Sequence, residues 1–583
     1  MYIWSDQIQL SRKKESHRMP VTALALLSAL PIGLALIMMV GLHWPATRAM
    51  PIAWLVTALT GLFAWQMPLG FILAATIGGF GNALNVLVIV LGAIVLLFTL
   101  QESGAMATIN AGLASLSGDK RVQCIIIAFL FGAFLEGAAG FGAPAAIAAP
   151  LMISLGFPAL AAVMACLILN SFPVSFGVIG AVIWFGLGNL DPLIGQAAAG
   201  GLLPAGVTGP DGFYKLVGHW AAILNLVPIY VLPLFVCCFI SRYFGPNRSW
   251  REGLGAWRLS LFASTVFAAT YLFFAFSLGV EFPSLMGGLI GLAAVIAALR
   301  RKWFLPKSGW TFAPKSQWNA DWLGAIETPT ADRQTAAMSQ LRAWLPYVII
   351  GLLLVLTRMT QLPFKAWVSS VELTFPHILG YDTVQFSMKP LYLPGIMPFM
   401  LVALLIIPLH GMSGAQVKRA WSDALQRIKG PAIALLFAVA LVEIFKQSAH
   451  NTLGYPSMPL SMAQATAALA GYSWPFFAPF VGALGAFITG SNTVSNLLFS
   501  EFRYGLASQL DISRQIVVAL QVVGGSMGNM VCVHNIVAAS AVVGLSGQEG
   551  TIIRRNVVPL LIYGISAGLM GLVLCYWLFP GIF

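Results

Sequence analysis

Glu136-Gly137-Ala138-Ala139-Gly140-Phe141-Gly142-Ala143-Pro144 places three glycines and a proline inside an otherwise apolar run. Glycine and proline both work against a continuous helix there. Backbone at membrane depth must be hydrogen-bonded unless it is buried in protein or lines a polar cavity. A helix that restarts at Pro144, a residue favoured in a first turn, aims free N–H groups and the positive end of its dipole at the break. That arrangement suits a carboxylate. The surrounding chain has 583 residues, 59% of them hydrophobic and 9% charged, against roughly 25% charged in soluble domains. It reads as an all-α polytopic membrane protein of roughly 12–16 membrane segments, with broken or re-entrant helices.

The net charge of +12 does not point to nucleic acid, because the basic residues sit in short loops between apolar runs, as the positive-inside rule produces. Cys124, Cys166, Cys237, Cys238, Cys532 and Cys575 lie in or beside apolar runs without metal-ligand spacing, so neither a disulfide framework nor a metal site is expected. No cofactor is implied. The absence of HExxH or a histidine cluster argues against a membrane-embedded enzyme, and a channel would need repeated polar rings.

Candidate spans are 20–42, 49–66, 84–100, 121–136, 143–155, 158–172, 175–189, 217–241, 259–279 and 283–300, then 344–360, 393–409, 430–447, 459–488, 514–526, 529–546 and 556–578. The segment 69–100 reads equally as one kinked crossing or as a dip followed by a span, with Gly78, Gly79, Gly81 and Asn82 at the ambiguous place. Basic loops 242–258, 300–343 and 411–429 fall on one side, taken as cytoplasmic, with 280–283 and 358–392 opposite. The expected organisation is a cytoplasmic tail (1–19), a first transmembrane half (20–300), a cytoplasmic connector (301–343) and a second half (344–583). The first apolar run is longer than a signal-peptide core and lacks a small-residue cleavage site, so it is expected to stay as a span.

The halves look duplicated. Gly132-Ala133-Phe134-Leu135-Glu136-Gly137 is matched by Gly485-Ala486-Phe487-Ile488-Thr489-Gly490. Upstream, Gln101-Glu102-Ser103-Gly104 corresponds to Lys446-Gln447-Ser448-Ala449; downstream, Asn170-Ser171-Phe172-Pro173 corresponds to Gly524-Gly525-Ser526-Met527. Inverted repeats with interrupted helices in matching places are a pointer to the binding site of a secondary transporter. At the second break, Thr489-Gly490-Ser491-Asn492-Thr493-Val494-Ser495-Asn496 offers hydroxyls and amides that donate to an anion or coordinate a cation through oxygen. Small residues in membrane helices also serve close packing, and that reading competes at every glycine.

Leu135-Glu136-Gly137-Ala138-Ala139-Gly140-Phe141-Gly142-Ala143-Pro144 resembles the signature of the lactate permease family. Phe487-Ile488-Thr489-Gly490-Ser491-Asn492-Thr493, the following Asn496-Leu497-Leu498-Phe499 and the run 538–549 resemble its second-half motifs. The resemblance implies a multi-pass bacterial inner-membrane symporter of protons with L-lactate and related 2-hydroxy monocarboxylates such as glycolate and D-lactate. Ser491-Asn492-Thr493 also looks like the Ser-Asn-Thr motif of the broader ion-transporter superfamily, so a sodium-coupled carrier of another organic anion remains the alternative. Two departures stand out: Asn492 where the pattern has Asp in many members, and Met530-Val531-Cys532-Val533-His534-Asn535 in place of a Ser- and Gln-bearing stretch.

The expected substrate-binding residues are Gly140, Gly142, Ser491, Asn492, Thr493, Asn496, Asn170 and Lys446. Glu136, His534 and His450 are the expected proton-coupling residues. An acid at membrane depth costs roughly 2.5–3.5 kcal/mol on insertion scales unless it is paired or protonated, which is why Glu136 leads that set; a capping role for it is the competing reading. Glu443 and Lys446, a turn apart, are also expected to pair, and either histidine is equally readable as a structural hydrogen-bonder. The partners implied are the small anion, H+ and the lipid bilayer, not nucleic acid; whether two copies form a homodimer is left open.

Overall fold

The computed structural model describes residues 19–583 except 43, 139, 141–142, 205, 325–337, 359–361, 394 and 546. The expected tail (1–18) and the middle of the connector (325–337) therefore lie outside the described residues. The described chain is helical apart from a small antiparallel ribbon, Leu373–Phe375 against Phe386–Met388. Among the described residues, nine helices are long and apolar enough to cross a membrane, and four shorter apolar helices accompany them. The all-α polytopic architecture is the one the composition implies.

The ambiguous segment 69–100 is one continuous helix, Leu69–Glu102, of 34 residues. Its glycines serve close approach rather than a break: a side chain on Gly79 would meet the backbone of Ala440, and one on Gly81 would meet the ring of Phe386. Absence of a Cβ lets two helices pack backbone to backbone, which repays the weaker helix propensity.

Two hairpins dip into the fold. In the first, the helical stretch 120–138 rises to a break and Ala143–Ser154 returns. In the second, Trp474–Thr489 rises and Asn492–Gln509 returns. Each hairpin is followed by an unwound span. Ala159–Leu169 gives way to a 3-10 turn, Phe172–Phe176, before Gly177–Trp184. Arg514–Gly528 is separated by a turn from Val533–Val543.

The hairpins open towards opposite faces. At the mouth of the first, the Lys120 ammonium donates to the carbonyl of Leu155 at 2.5 Å and the Lys120 N–H donates to that of Trp310 in the connector at 2.9 Å. Near the mouth of the second, Ser513 donates to the carbonyl of Phe583 at 3.1 Å, and Phe213 packs edge-on against Tyr504. Phe213 stands in the first turn of a segment of two helices, Pro210–Leu224 and Leu226–Phe244, that ends at Phe244 against Trp322 of the connector. The two mouths are thus separated by the length of that segment.

The described part of the connector is stitched to its face. Asp119 caps the helix at Lys120 and pairs with Arg121 at 2.5 Å; both are buried. Asp119 also accepts from the N–H of Trp310 at 3.1 Å, and Arg121 donates to the carbonyls of Ser308 (2.8 Å) and Glu252. Trp310 and Phe157 both stack edge-on against Phe312. Met19, by contrast, donates its N–H to Tyr455, while the other end of the first span reaches Pro45, beside Gly547. Gln548 in turn bonds Asp321 of the connector. The described start of the chain therefore lies a helix length away from the connector face.

Candidate functional site

The first break begins later than its glycines suggest. The helix Gly132–Ala138 carries on through Glu136 and Gly137, because Gly137 fits against the backbone of Leu285, where a larger residue would collide. Gly140 then adopts a positive φ of 59°, a conformation glycine takes at little cost. The next helix starts at Ala143, with Pro144 in its first turn. Gly142 lies outside the described residues.

Glu136 is 3% exposed and accepts a hydrogen bond from the Asn170 amide at 2.8 Å. Its other carboxylate oxygen lies against Gly177 and near Gly140, leaving no room for a Cβ at Gly177. Asn170 is the C-cap of Ala159–Leu169, so the hairpin tip and the unwound span meet through this acid–amide pair. No ion pair to Glu136 occurs among the described residues.

The second break is built from caps. Gly490 has φ 76°, and the Ser491 hydroxyl accepts from the N–H of Val494 at 3.4 Å as N-cap of Asn492–Gln509. Thr489 closes the turn by donating to the carbonyls of Gly485 (2.8 Å) and Ser491 (3.0 Å). Asn492 is buried and donates to Ser526 Oγ at 2.8 Å and to the carbonyl of Val522 at 2.9 Å, while its own side-chain oxygen has no partner. Thr493, next in the helix, is part-buried. Asn496 donates to the carbonyl of Val182 at 3.1 Å, tying the second hairpin to the unwound span of the first half. His534 is buried with its ring against Gly490.

Lys446 and His450 do not join this assembly. Lys446 bonds Glu443 at 3.1 Å, the pairing expected for a turn's separation, and the adjacent Gln447 reaches the carbonyl of Thr383. His450 is exposed and stacked on Phe71, with ring centroids 4.0 Å apart. Lys446 stands in the last turn of the helix Lys429–Gln447, and His450 lies three residues beyond its end, against Phe71 and Tyr381.

The contact between halves that the sequence did not single out is a buried polar chain. Ser175 and Ser526 share a hydrogen bond of 2.7 Å. The amide of Asn225 donates to Ser175 and to Tyr271, each at 3.0 Å, and Tyr563 donates to the Asn225 side-chain oxygen. Gln521 adds a bond to Ser495 at 3.0 Å. A buried amide is costly unless bonded, so the chain of bonds between the 3-10 turn and the second unwound span fixes their register. Ser526 was visible in the repeat match and Asn225 in the middle of an apolar run. Nothing local marks Tyr271 or Tyr563.

The first break thus gathers small residues and an amide around a buried acid, and the second gathers amides and hydroxyls, together a set of groups able to hold a small anion and to take up a proton. The L-lactate permease family model matches residues 24–578. Among curated relatives, a putative L-lactate permease of Haemophilus influenzae is 32% identical, over 94% of this chain and 98% of its own. A glycolate permease of Escherichia coli is 28% identical, over 95% and 96% respectively. An L-lactate permease of Bacillus subtilis is 29% identical, over 86% and 87%.

Proposed function

The chain belongs to the L-lactate permease family, and from that premise we propose that it carries L-lactate or a related 2-hydroxy monocarboxylate, such as glycolate or D-lactate, together with a proton. The observation that carries this reading is Glu136, a buried acid whose one side-chain partner among the described residues is an amide, at the meeting point of hairpin tip and unwound span. A carboxylate at membrane depth without a bonded cation is costly as a permanent charge, and a symported proton needs a group to carry it. The substrate carboxylate is assigned to the N–H groups and hydroxyls at Gly140, Asn170, Ser491, Thr493 and Asn496, with His534 beside the second tip. Lys446 and His450 are left out of the transport path, Lys446 by its pairing with Glu443 and His450 by its exposure.

The basic loops, connector included, are assigned to the cytoplasmic face of a bacterial inner membrane. On that assignment the described start of the first span, at Met19, faces the other side, which reverses the cytoplasmic N-terminus suggested by the basic tail alone. The sodium-coupled alternative draws on the unpartnered oxygens of Asn492 and Gln521. The test is uptake of labelled L-lactate by proteoliposomes, with and without a pH gradient and with sodium varied at fixed pH. Accumulation that collapses with a protonophore, ignores sodium and is competed by glycolate is the expected result. Accumulation that follows sodium instead, or that survives Glu136→Gln, refutes proton coupling through this residue.

A further inference from the structure

A carboxylate and a carboxylic acid make opposite demands on a neighbour. The anion needs a donor, whereas the acid's O–H needs an acceptor. Asn170 carries one of each on a single planar amide. Its Nδ2 donates to Glu136 Oε2 at 2.8 Å, as an ionised carboxylate requires. Its Oδ1 is buried and has no hydrogen-bond partner, although Asn170 is only 7% exposed. An acceptor desolvated and left empty is unfavourable, and it marks a state that something else completes.

Among the described side chains no charge is bonded to the pair. On the elements packed against the helix of Glu136, the ionisable side chains are Cys166, Arg300, Arg342, Tyr347 and Arg358. Cys166 turns to Met152, Tyr347 to Met106 and Arg342 to the carbonyl of Leu409. Arg300 is the last residue of its helix, and the side chain of Arg358 lies outside the described ones.

We propose that Asn170 reads the protonation of Glu136 and converts it into a site that accepts an anion. When Glu136 takes up a proton, the amide turns by half a rotation about its Cβ–Cγ bond and Oδ1 accepts the new O–H. Nδ2 then faces the side of the amide away from Glu136, where it donates to the substrate carboxylate. The one covalent change is at Glu136: an O–H bond of a hydronium ion on the entry side breaks, leaving water, as the O–H bond of the acid forms. That bond breaks to water on the exit side once the substrate has left and the amide has turned back. With Glu136 ionised, the amide presents oxygen instead of N–H and repels a carboxylate. The anion therefore binds only to the form in which Glu136 carries its proton. The inference rests on the proton-coupled hydroxy-acid reading above.

Two measurements on the full chain in nanodiscs separate the inference from that reading. Substrate-free infrared titration identifies the carboxylic C=O band that Glu136→Gln removes; in Asn170→Leu this band is expected to shift. L-lactate binding across pH is expected to weaken as pH rises in the parent protein. Asn170→Leu should lose about tenfold to a hundredfold of the affinity at low pH, the worth of a charge-assisted hydrogen bond, and show a flat pH profile. Asn170→Ser, whose hydroxyl both donates and accepts, should keep the slope at reduced affinity and serves if the leucine variant does not fold. An unshifted band, or parental affinity and slope in Asn170→Leu, overturns the proposal. A shifted band in a protein that binds no lactate supports the acid–amide switch and overturns the lactate reading instead.

Discussion

Replacing Asp119 by alanine removes the residue that holds the first hairpin to the connector. Asp119 accepts the backbone N–H of Arg121 at 2.9 Å, its guanidinium at 3.0 and 2.5 Å, and the N–H of Trp310 at 3.1 Å. Arg121 is 2% exposed, so the substitution strands a buried cation, a change that costs about 3–5 kcal/mol. Because Arg121 keeps the carbonyls of Ser308 and Glu252, the lower end applies, about 3 kcal/mol. At 1.4 kcal/mol per tenfold, the local opening equilibrium shifts by roughly a hundredfold. The reporter is intrinsic: Cys237 is buried and donates its thiol to the carbonyl of Arg121 at 3.8 Å. In single-cysteine versions, maleimide labelling of Cys237 should accelerate by about that factor, while Cys575, in the last span, should label at its parental rate. Adding Arg121→Met to Asp119→Ala should recover most of the loss, since the stranded charge is gone. Labelling of Cys237 within about twofold of the parent would refute the reasoning, because it would place the closure elsewhere than in this pair.

Three further outcomes follow from the same geometry. Arg503 is fully buried, bonds only the carbonyl of Ala478 among described partners and lies 4.7 Å over the Trp474 ring, with Nε and Nη1 unpartnered; Arg503→Met is expected to leave thermal stability unchanged or raise it, and a large fall in melting temperature would contradict this. Asn492→Asp puts a carboxylate against the carbonyl of Val522, to which only a protonated acid donates. Its stability is therefore expected to be highest at acid pH and to fall as pH rises, measured by thiol-dye melting across pH; equal stability at every pH would refute the assignment. Gly524→Ala would drive a methyl into the backbone of Pro479, whereas Gly195→Ala meets open space. The first should cost about 1–3 kcal/mol and the second should be neutral or stabilising, with comparable melting of the two as the refuting result.

Apolar run lengths determined that the chain crosses a membrane many times, since a desolvated backbone leaves few alternatives to the helix. Glycine and proline at 137–144 and the polar run 489–496 located both breaks, because those residue types carry their backbone preferences locally. The pairing of Glu443 with Lys446 was legible for the same reason, being set by helical spacing alone. The sequence could not decide whether a glycine breaks a helix or lets another approach: Gly79 and Gly137 look alike in it, and only the backbones of Ala440 and Leu285 show that both serve packing. Nor could it set His450 on Phe71, or bring Ser175, Asn225, Tyr271, Ser526 and Tyr563 together. Those contacts join residues up to 351 positions apart. A hydrogen bond is set by distance and angle in space, so tertiary structure alone decides which amides of a long apolar chain meet the buried acid.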